Sequence, residues 1–330
     1  MIKYVILCTL KVISMKTLPL FTIEQTVNTY KYLFEPNPVF GMDFFADDFE
    51  AKDIVLLDDV KAGSQGIPIH FNYYALFLRI HGETQRTINQ FKYHIKPQSL
   101  QLVNPGQIYS YKDTTNASRT FVLLFDKSFI EEDNLTKESL DDLLEFHRKC
   151  QQDIVLDTTQ YAQVVSIYEQ LSAELRAKND DYRIVSKMLI NQLLFMLKRE
   201  KLNFGLKQNH SRAEQICAEF LVLIEEHYWQ KKSIKEYASI LGITPKHLSE
   251  TVKSTLHHSA LSYIHIRIIK EIQYLLCFGG MSIKQIAYAL HFETVSQMGR
   301  FFKRHEGMSP RAYRLKHRGV ALYDKQNASK

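Results

Sequence analysis

An internal repeat in the last third of the chain constrains the fold more than any other feature of the sequence. Residues 233–253 and 282–303 align along their length, with one extra residue in the turn of the second segment. Each segment opens with a serine that is followed three residues later by Glu or Gln, a capping-box pattern that starts a helix. A short helix, a turn and a second amphipathic helix follow, so the repeat predicts two helix-turn-helix units.

Residues at matching positions explain where the chain turns. Ala238 and Ala287 lie where a second helix must cross closely, and only a small side chain fits there. Gly242 supplies the left-handed turn conformation, and Thr244 with Pro245 starts the next helix as N-cap and first helical residue. The second helices are anchored by Leu248, Val252, Met298, Phe301 and Phe302. Their polar sides are then available for a DNA major groove.

Between the two units, residues 259–278 predict one long helix that ends at Gly279 and Gly280. Its predicted buried stripe consists of Leu261, Ile264, Ile268, Ile272 and Leu275. A rigid helix of this kind can hold two recognition helices at a fixed separation. Reading successive major grooves on one face of DNA requires a separation of about 34 Å.

The C-terminal third is basic, whereas the rest of the chain is slightly acidic. Residues 211–330 contain 18 Lys and Arg against 10 Asp and Glu, and the whole chain contains 42 against 36. A basic module on a near-neutral body is typical of a polyanion-binding protein, although a solvated basic surface has the same composition. A single unit would also be compatible with an ordinary helical hairpin, but two copies in one basic domain favour DNA binding.

The first half of the chain predicts β-structure. Short apolar segments, rich in aromatic and β-branched residues, alternate with turn signals between residues 53 and 130. The predicted strands are Ile54–Leu57, Tyr73–Ile80, Arg86–Ile88, Leu100–Val103 and Thr120–Phe125. This spacing is typical of an antiparallel barrel or a double-sheet jelly roll.

Two long helices are predicted after the strands, at Thr158–Ala177 and Tyr182–Lys201, followed by a polar connector at Phe204–His210. Apolar residues recur at three- and four-residue steps in both helices. These are Val164, Val165, Tyr168, Leu171 and Leu175 in the first helix, and Ile184, Met188, Leu189, Leu193, Met196 and Leu197 in the second. The stripes can pack on the β-domain or on a twin subunit, and their pattern alone favours neither.

A family resemblance is carried by the second unit and the residues after it. Within residues 286–314 the chain has Ile-Ala at 286–287, Arg-Phe-Phe-Lys at 300–303, Gly-Met-Ser-Pro at 307–310 and Tyr-Arg at 313–314. In these residues it resembles the AraC/XylS family of transcription regulators. Two residues depart from the family pattern: His291 stands where glycine is usual, and Met298 where Phe or Tyr is usual. Histidine tolerates a positive φ at some strain, and methionine can fill the core site.

The resemblance implies an α+β protein. Its N-terminal part would be a cupin-like β-barrel with flanking helices, and its C-terminal part an all-α domain with two helix-turn-helix motifs. The corresponding regions are a disordered extension (1–15), a cupin-like sensor or regulatory domain (16–150), a helical dimerisation or linker region (151–210), a double helix-turn-helix DNA-binding domain (211–318) and a tail (319–330).

The resemblance also implies partners for a sequence-specific regulator. These are double-stranded DNA, a second copy of the chain in a homodimer, RNA polymerase, and a small-molecule effector in the barrel, where Tyr73, Phe77 and Tyr109 are the predicted inward residues. No cofactor is predicted. The apolar run Tyr4–Leu10 is too short to span a bilayer, and no other segment is a candidate, so we predict no membrane partner and a cytoplasmic location.

Polar residues on the outer side of each second helix are the predicted DNA contacts. The first unit contributes Lys246, His247, Ser249, Glu250 and Lys253, and the second contributes Thr294, Val295, Ser296, Gln297, Arg300 and Lys303. Arg, Lys and Gln suit base edges or phosphates, and Val295 suits a thymine methyl group. Glu250 is either a cytosine reader or the ion-pair partner of a neighbouring lysine, and both alternatives stay open.

A metal-dependent cupin enzyme is the alternative function. Such a site needs three or four His or Glu ligands that converge on one ion, commonly with a His-x-His pair. His70 has no second histidine two residues away, and Tyr109 stands where a later histidine would fall. The four cysteines are scattered without a Cys-x-x-Cys pair, which argues against structural zinc and favours a reducing compartment. We therefore predict no metal, no catalytic residue and no enzymatic activity.

Overall fold

The computed structural model describes residues 20–33, 41–42, 53–59, 68–89, 91–114, 118–131, 154–206 and 211–317. The predicted extension at 1–15 and the predicted tail at 319–330 lie outside these residues, as do Cys8 and Cys150. Cys217 and Cys277 are free and buried, where a thiol packs as a small apolar side chain.

Two antiparallel sheets form the N-terminal half. The strands are β1 (Ile54–Asp59), β2 (Ile69–His70), β3 (Tyr74–His81), β4 (Thr84–Ile88), β5 (Phe91–Ile95), β6 (Ser99–Val103), β7 (Ile108–Asp113), β8 (Arg119–Phe125) and β9 (Ile154–Val155). One sheet has the order β1-β8-β3-β6-β9, and the other has β2-β7-β4-β5. Because the two sheets share no strand among the described residues, the β-domain is the two-layer alternative of the prediction, which is compatible with a cupin-like domain.

The interior between the sheets is filled by aromatic rings. Tyr73, Phe77 and Tyr109, the predicted inward residues, are all buried. Phe77 stacks on Tyr109 at 4.9 Å between ring centroids, and Phe71 stacks on Tyr73 at 4.5 Å. The hydroxyl groups of Tyr73 and Thr26 share a hydrogen bond of 2.6 Å, which satisfies the phenol inside the core.

Helices flank the sheets and form the C-terminal half. They are α1 (Ile23–Leu33), α2 (Lys127–Glu131), α3 (Thr158–Ala177), α4 (Tyr182–Leu206), α5 (Arg212–His227), α6 (Ile234–Ile240), α7 (Pro245–Leu256), α8 (Ala260–Cys277), α9 (Ile283–Ala289), α10 (Val295–Glu306) and α11 (Pro310–Lys316). None of them within the described residues is both long enough and apolar enough to cross a bilayer.

Helix α3 packs on the outer face of the five-stranded sheet. The Tyr168 hydroxyl donates to the carbonyl oxygen of Leu76 at 3.0 Å, and its ring lies 5.9 Å from that of Phe121. Two residues of the predicted α4 stripe, Ile184 and Met188, are exposed instead of buried. Helix α4 also continues to Leu206, so the start of the predicted connector at residue 204 is wrong.

Helix α8 is the connecting helix, and its C-terminal end also contacts the sheet domain. Tyr274 lies 5.5 Å from His70, and Phe278 lies 5.0 Å from Phe21, both as edge-to-face ring pairs. The predicted buried stripe of α8 is confirmed except for Leu261, which is 37% exposed. The connecting helix therefore contacts the sheet domain through its C-terminal end as well as the helix-turn-helix units along its length.

Candidate nucleic-acid interface

The two units have the same backbone design at the turn between their helices. In the first unit Gly242 has a φ of 65°, and in the second His291 has a φ of 52°, so both positions are left-handed. The N–H of the next residue then donates to the carbonyl oxygen of the alanine that matches in the two repeats, from Ile243 to Ala238 at 3.0 Å and from Phe292 to Ala287 at 2.9 Å. This pairing closes a Schellman motif in each unit and directs the chain into its second helix.

Capping side chains fix where each recognition helix begins. The hydroxyl oxygen of Thr244 accepts from the N–H of His247 at 3.1 Å at the start of α7. The hydroxyl oxygen of Thr294 accepts from the N–H of Gln297 at 3.0 Å at the start of α10. The Gln297 side-chain oxygen in turn accepts from the N–H of Glu293 at 2.9 Å. Gln297 therefore caps the start of its own helix, in addition to the DNA contact that the sequence predicts for it.

Buried apolar residues hold both recognition helices against the domain core. Leu248, Val252, Met298 and Phe302 are fully buried, as predicted. Phe301 is half-buried and packs against Phe292 and two histidines, His265 and His305. Met298 fills the site of the usual aromatic residue, so that departure from the family pattern leaves the core closed.

On α7 the predicted contact residues lie on the outer side. Lys246, His247, Glu250 and Lys253 are exposed. Ser249 is half-buried, and its hydroxyl donates to the carbonyl oxygen of Pro245 at 2.7 Å within the helix. Lys246 and Glu250 approach to 4.0 Å one helical turn apart. This pairing supports the ion-pair role for Glu250, although at such exposure it contributes little to stability.

On α10 the outer side is also polar and mostly exposed. Thr294, Ser296, Gln297, Arg300 and Lys303 are exposed, and Val295 is half-buried. The pKa of His305 is lowered by burial and by the positive charge of Arg304, and that of His265 is lowered by burial and by His305. Neutral histidines leave the arginine and lysine side chains as the cations of this helix.

The family-signature residues that follow α10 act mainly by stabilising the fold and less as candidate DNA contacts. Gly307 ends α10 with a φ of 74°, Ser309 caps α11, and Pro310 is its first residue. The Tyr313 ring packs on Phe302 at 5.4 Å. Arg314 donates to the carbonyl oxygens of residues 276 and 281, at 3.0 and 2.6 Å, and thereby ties α11 to the end of the connecting helix.

A buried charge network lies behind the first unit. Arg267 of α8 donates to Glu225 of α5 at 2.8 Å and to Glu271 at 2.9 Å, and its guanidinium lies 3.7 Å from the ring centroid of Tyr228. The Tyr228 hydroxyl donates to the same Glu271 oxygen at 3.0 Å. Burial alone would lower the pKa of Arg267, but the carboxylate of Glu225 and its neighbours raise it, so the guanidinium stays charged.

The sequence contained a signal for part of this network. Arg267 and Glu271 are four residues apart on the buried side of α8, where a lone cation would be costly. A second polar cluster, formed by Trp229, Lys232 and His291, had no such signal, because its residues come from turns far apart in the chain.

The side chains weighed for the alternative metal enzyme have other partners among the described residues. Nε2 of His70 bonds to the carbonyl oxygen of Gly106, and His94 bonds to Glu83 at 2.8 Å. Tyr109 is stacked in the core. In this part of the chain no three His, Cys, Asp or Glu side chains could hold one ion.

Comparisons with known proteins identify relatives of the whole arrangement. Residues 237–316 match the family model described as "Helix-turn-helix domain". The "HTH-type transcriptional activator RhaS" of Enterobacter sp. (strain 638) is 24% identical over 251 residues, which is 74% of this chain and 86% of that protein. The "Uncharacterized HTH-type transcriptional regulator YisR" of Bacillus subtilis (strain 168) is 22% identical over 265 residues, or 77% of this chain and 90% of that protein.

Among solved structures, ToxT from Vibrio cholerae aligns with 80% of this chain and 98% of its own length, at 16% identity and a TM-score of 0.40. The family model and the two curated relatives confirm the regulator family that residues 286–314 predict.

Proposed function

Since the chain belongs to the AraC/XylS family of transcription regulators, we propose that it binds one DNA duplex through α7 and α10 together. The observation that carries the proposal is the equivalence of the two helices. Each follows the same left-handed turn, starts at a threonine cap, and turns its apolar side into the core and its polar side outward. Two helices of this design suit two successive major grooves.

The charges on the outer sides assign different roles to the side chains. Lys246 and Lys253 on α7, and Arg300 and Lys303 on α10, supply positive charge for phosphates or guanine edges. Val295 is placed at the first turn of α10, where an apolar group can meet a thymine methyl group. Glu250 is paired to Lys246 within the helix, and we assign it an orienting role rather than a base contact.

Binding is expected to depend strongly on salt. We assume that each of these four side-chain cations neutralises one phosphate and releases its counterion. A plot of the logarithm of the binding constant against the logarithm of the salt concentration should then have a slope of about −3.6. Lys303→Ala should make this slope less steep by about 0.9. Gel-shift or anisotropy titrations with a duplex selected from a random library measure both values.

Lys96→Ala is the matched control, because Lys96 is an exposed lysine of the sheet domain. The salt dependence of DNA binding by Lys96→Ala should have the same slope as that of the wild type. A wild-type protein that selects no duplex, or a binding constant that does not change with salt, would contradict the proposal.

A homodimer formed through α3 and α4 is the second part of the proposal. The two helices leave an open groove of about 740 Å³, lined by Ala162, Gln163, Ser166, Ile167, Gln170, Gln192, Phe195, Met196 and Arg199. Along α4, Ile184, Met188 and Phe195 follow a helical spacing and are 60%, 66% and 39% exposed. A row of exposed apolar side chains beside a groove is suited to a second copy of the same surface.

Phe195→Glu and Met188→Glu are expected to convert the dimer to a monomer, because each would bury a carboxylate in the apolar contact. Sedimentation equilibrium measures the mass of each variant. Leu315→Glu is the control, because it places the same charge on an exposed leucine of α11, and it should stay dimeric. A wild-type monomer, or variants with unchanged mass, would contradict this part.

The remaining expectations follow from the resemblance. A small effector between the sheets, contact with RNA polymerase, a cytoplasmic location and the lack of enzymatic activity stay part of the proposal. Metal analysis of the purified protein tests the enzyme alternative, and a stoichiometric metal would revive it.

A further inference from the structure

A contact between the turn that leads into the first helix-turn-helix unit and the turn inside the second unit lies apart from the connecting helix. Trp229 and Lys232 come from the turn between α5 and α6, and His291 and Phe292 from the turn between α9 and α10. The indole of Trp229 and the imidazole of His291 lie 5.3 Å apart. The Lys232 ammonium donates to the carbonyl oxygen of Trp229 at 3.3 Å and to that of His291 at 3.2 Å. These four residues are called the inter-unit contact below.

The Lys232 ammonium lies at the ends of two helices: α5, which precedes the first unit, and α9, which belongs to the second unit. The caps of α5 and α9 are Tyr228 and Leu290, and the two carbonyl groups that accept from the ammonium belong to the residues directly after these caps. Helix C-terminal ends carry partial negative charge, so a cation at this position is attracted to both. The ammonium also lies 5.1 Å from the ring centroid of Phe292, within range of a cation–π interaction.

The surroundings of Lys232 strengthen these bonds. Its side chain is half-buried, and burial lowers its pKa, while the carboxylate of Glu236 opposes that change. The same carboxylate accepts from the backbone N–H of Lys232 at 3.1 Å. Hydrogen bonds from a partly desolvated cation are stronger than those of an exposed lysine. The inter-unit contact therefore restrains the two turns against each other.

The position of the contact links it to both recognition helices. Lys232 directly precedes Ser233, the N-cap of α6, and His291 lies three residues before Thr294, the N-cap of α10. The hydrogen bond to His291 joins residues 59 apart in sequence. Together with α8 it ties the units at two points, which opposes rotation of one unit about the connecting helix.

We propose that the inter-unit contact sets the spacing between α7 and α10, with Lys232 as the positioning residue. This inference rests on the proposed function, because the spacing matters only if both helices read one duplex. It also gives a role to the histidine that replaces the usual glycine: His291 supplies a ring for Trp229 as well as a left-handed turn. The protein should then discriminate against DNA whose two elements are moved apart.

The first test measures this discrimination. The probe is a duplex that the wild-type full chain selects from a random library, compared with versions that carry one or two extra base pairs between its two elements. The wild type should bind the lengthened duplexes at least about tenfold more weakly. The extra base pairs move one element away from its recognition helix, so the base contacts of that unit are lost. Lys232→Met keeps most of the side-chain volume without the charge, and should reduce this discrimination by about threefold to tenfold.

Lys235→Met is the matched control, because Lys235 is an exposed lysine on α6 and its loss removes the same charge. It should weaken binding to all duplexes equally and leave the ratio between them unchanged. Lys232→Arg should restore part of the discrimination, because a guanidinium can donate to both carbonyl oxygens.

The second test needs no DNA. Trp229 is the only tryptophan in the chain, and a protonated imidazole quenches a neighbouring indole. The pKa of His291 is lowered by burial and by the charge of Lys232. Emission of the wild type should therefore rise with pH through a transition below the ordinary histidine value of 6.5. In Lys232→Met the transition should move to higher pH, and in Lys235→Met it should stay in place.

His291→Asn identifies the quenching group, because asparagine tolerates the φ of 52° at this position but does not titrate. The transition should disappear in this variant. Failure of the wild type to select any duplex would overturn the proposed function, while the emission transition would still report on the contact. If the wild type selects duplexes, but Lys232→Met retains full discrimination and an unshifted transition, the spacing role of Lys232 is overturned.

Discussion

Arg267→Met is expected to lower the free energy of unfolding of the C-terminal domain by about 3–5 kcal/mol. The guanidinium is 2% exposed and is the cation shared by Glu225 and Glu271. Methionine fills much of the space but leaves two carboxylates without a counter-charge, one of them with no exposed side-chain surface. Urea unfolding, followed by circular dichroism and by the emission of Trp229, measures the loss.

The size of this loss should depend on pH in a defined direction. Burial already raises the pKa of Glu225 above its ordinary value of 4.5, against the effect of Arg267, and removal of the guanidinium raises it further. A carboxyl group whose pKa is raised on folding favours the native state while it is protonated. That contribution is complete below the unfolded pKa and is lost as the pH rises through the folded pKa. The variant should therefore lose less stability at about pH 5 than at neutral pH.

A double variant separates loss of the cation from loss of packing. Arg267→Met combined with Glu271→Met removes the fully buried pair and should recover part of the stability, because apolar replacements of buried ion pairs are often neutral. Recovery should be incomplete, since the Tyr228 hydroxyl loses its acceptor. If Arg267→Met and the wild type unfold at the same urea concentration, the network does not stabilise the domain.

The recognition helices could be predicted from sequence because their determinants are local. A cap, a first-position proline and a left-handed turn residue all lie within a few residues of the helix that they start. The repeat then supplied a second, independent example of the same pattern. Exposure of the outer residues followed from the apolar spacing, and it is observed at Lys246 and Arg300.

The apolar spacing of α4 did not show which of its residues the chain's own core would cover. Ile184 and Met188 match the spacing of the α4 stripe but are exposed. Periodicity identifies an apolar side without telling which neighbour covers it. Leu261 is exposed for a related reason, because it lies in the first turn of α8, at the edge of the packed core.

Contacts between distant segments were the least predictable part. Arg267 meets Glu225 across 42 residues, and Lys232 meets His291 across 59. No local pattern encodes such pairs. Four strands were also missed: β2 and β9, whose two residues carry no periodic signal, and the longer strands β5 and β7. The sequence left a barrel and a double-sheet jelly roll open, because alternation cannot distinguish one closed sheet from two stacked sheets.

Arg300→Ala is expected to weaken binding to the selected duplex by about 5- to 150-fold and to relax its sequence preference at one position. These effects correspond to the loss of one base contact of about 1–3 kcal/mol. Arg300 is exposed on the outer side of α10, one turn after the capped start of the helix. Selection from a random library followed by titration measures both the preference and the affinity.

Gln297 requires two substitutions, because its side chain also caps the helix. Gln297→Ala removes the acceptor for the Glu293 N–H together with any DNA contact, whereas Gln297→Glu keeps that acceptor and removes only the amide donor. If Gln297 reads a base, both variants should shift the preference at a second position. If it only caps, Gln297→Glu should alter affinity through its charge and leave the selected sequence unchanged.

Arg304→Ala is the control that separates base reading from charge. Arg304 is exposed in the last turn of the same helix, so its loss removes one positive charge from α10 and leaves the predicted contact residues in place. A cation that meets only phosphates weakens every duplex by the same factor, whereas a base contact weakens one sequence more than the others. If Gln297→Ala and Arg300→Ala retain the wild-type affinity and select the wild-type sequence, α10 does not read DNA through this side.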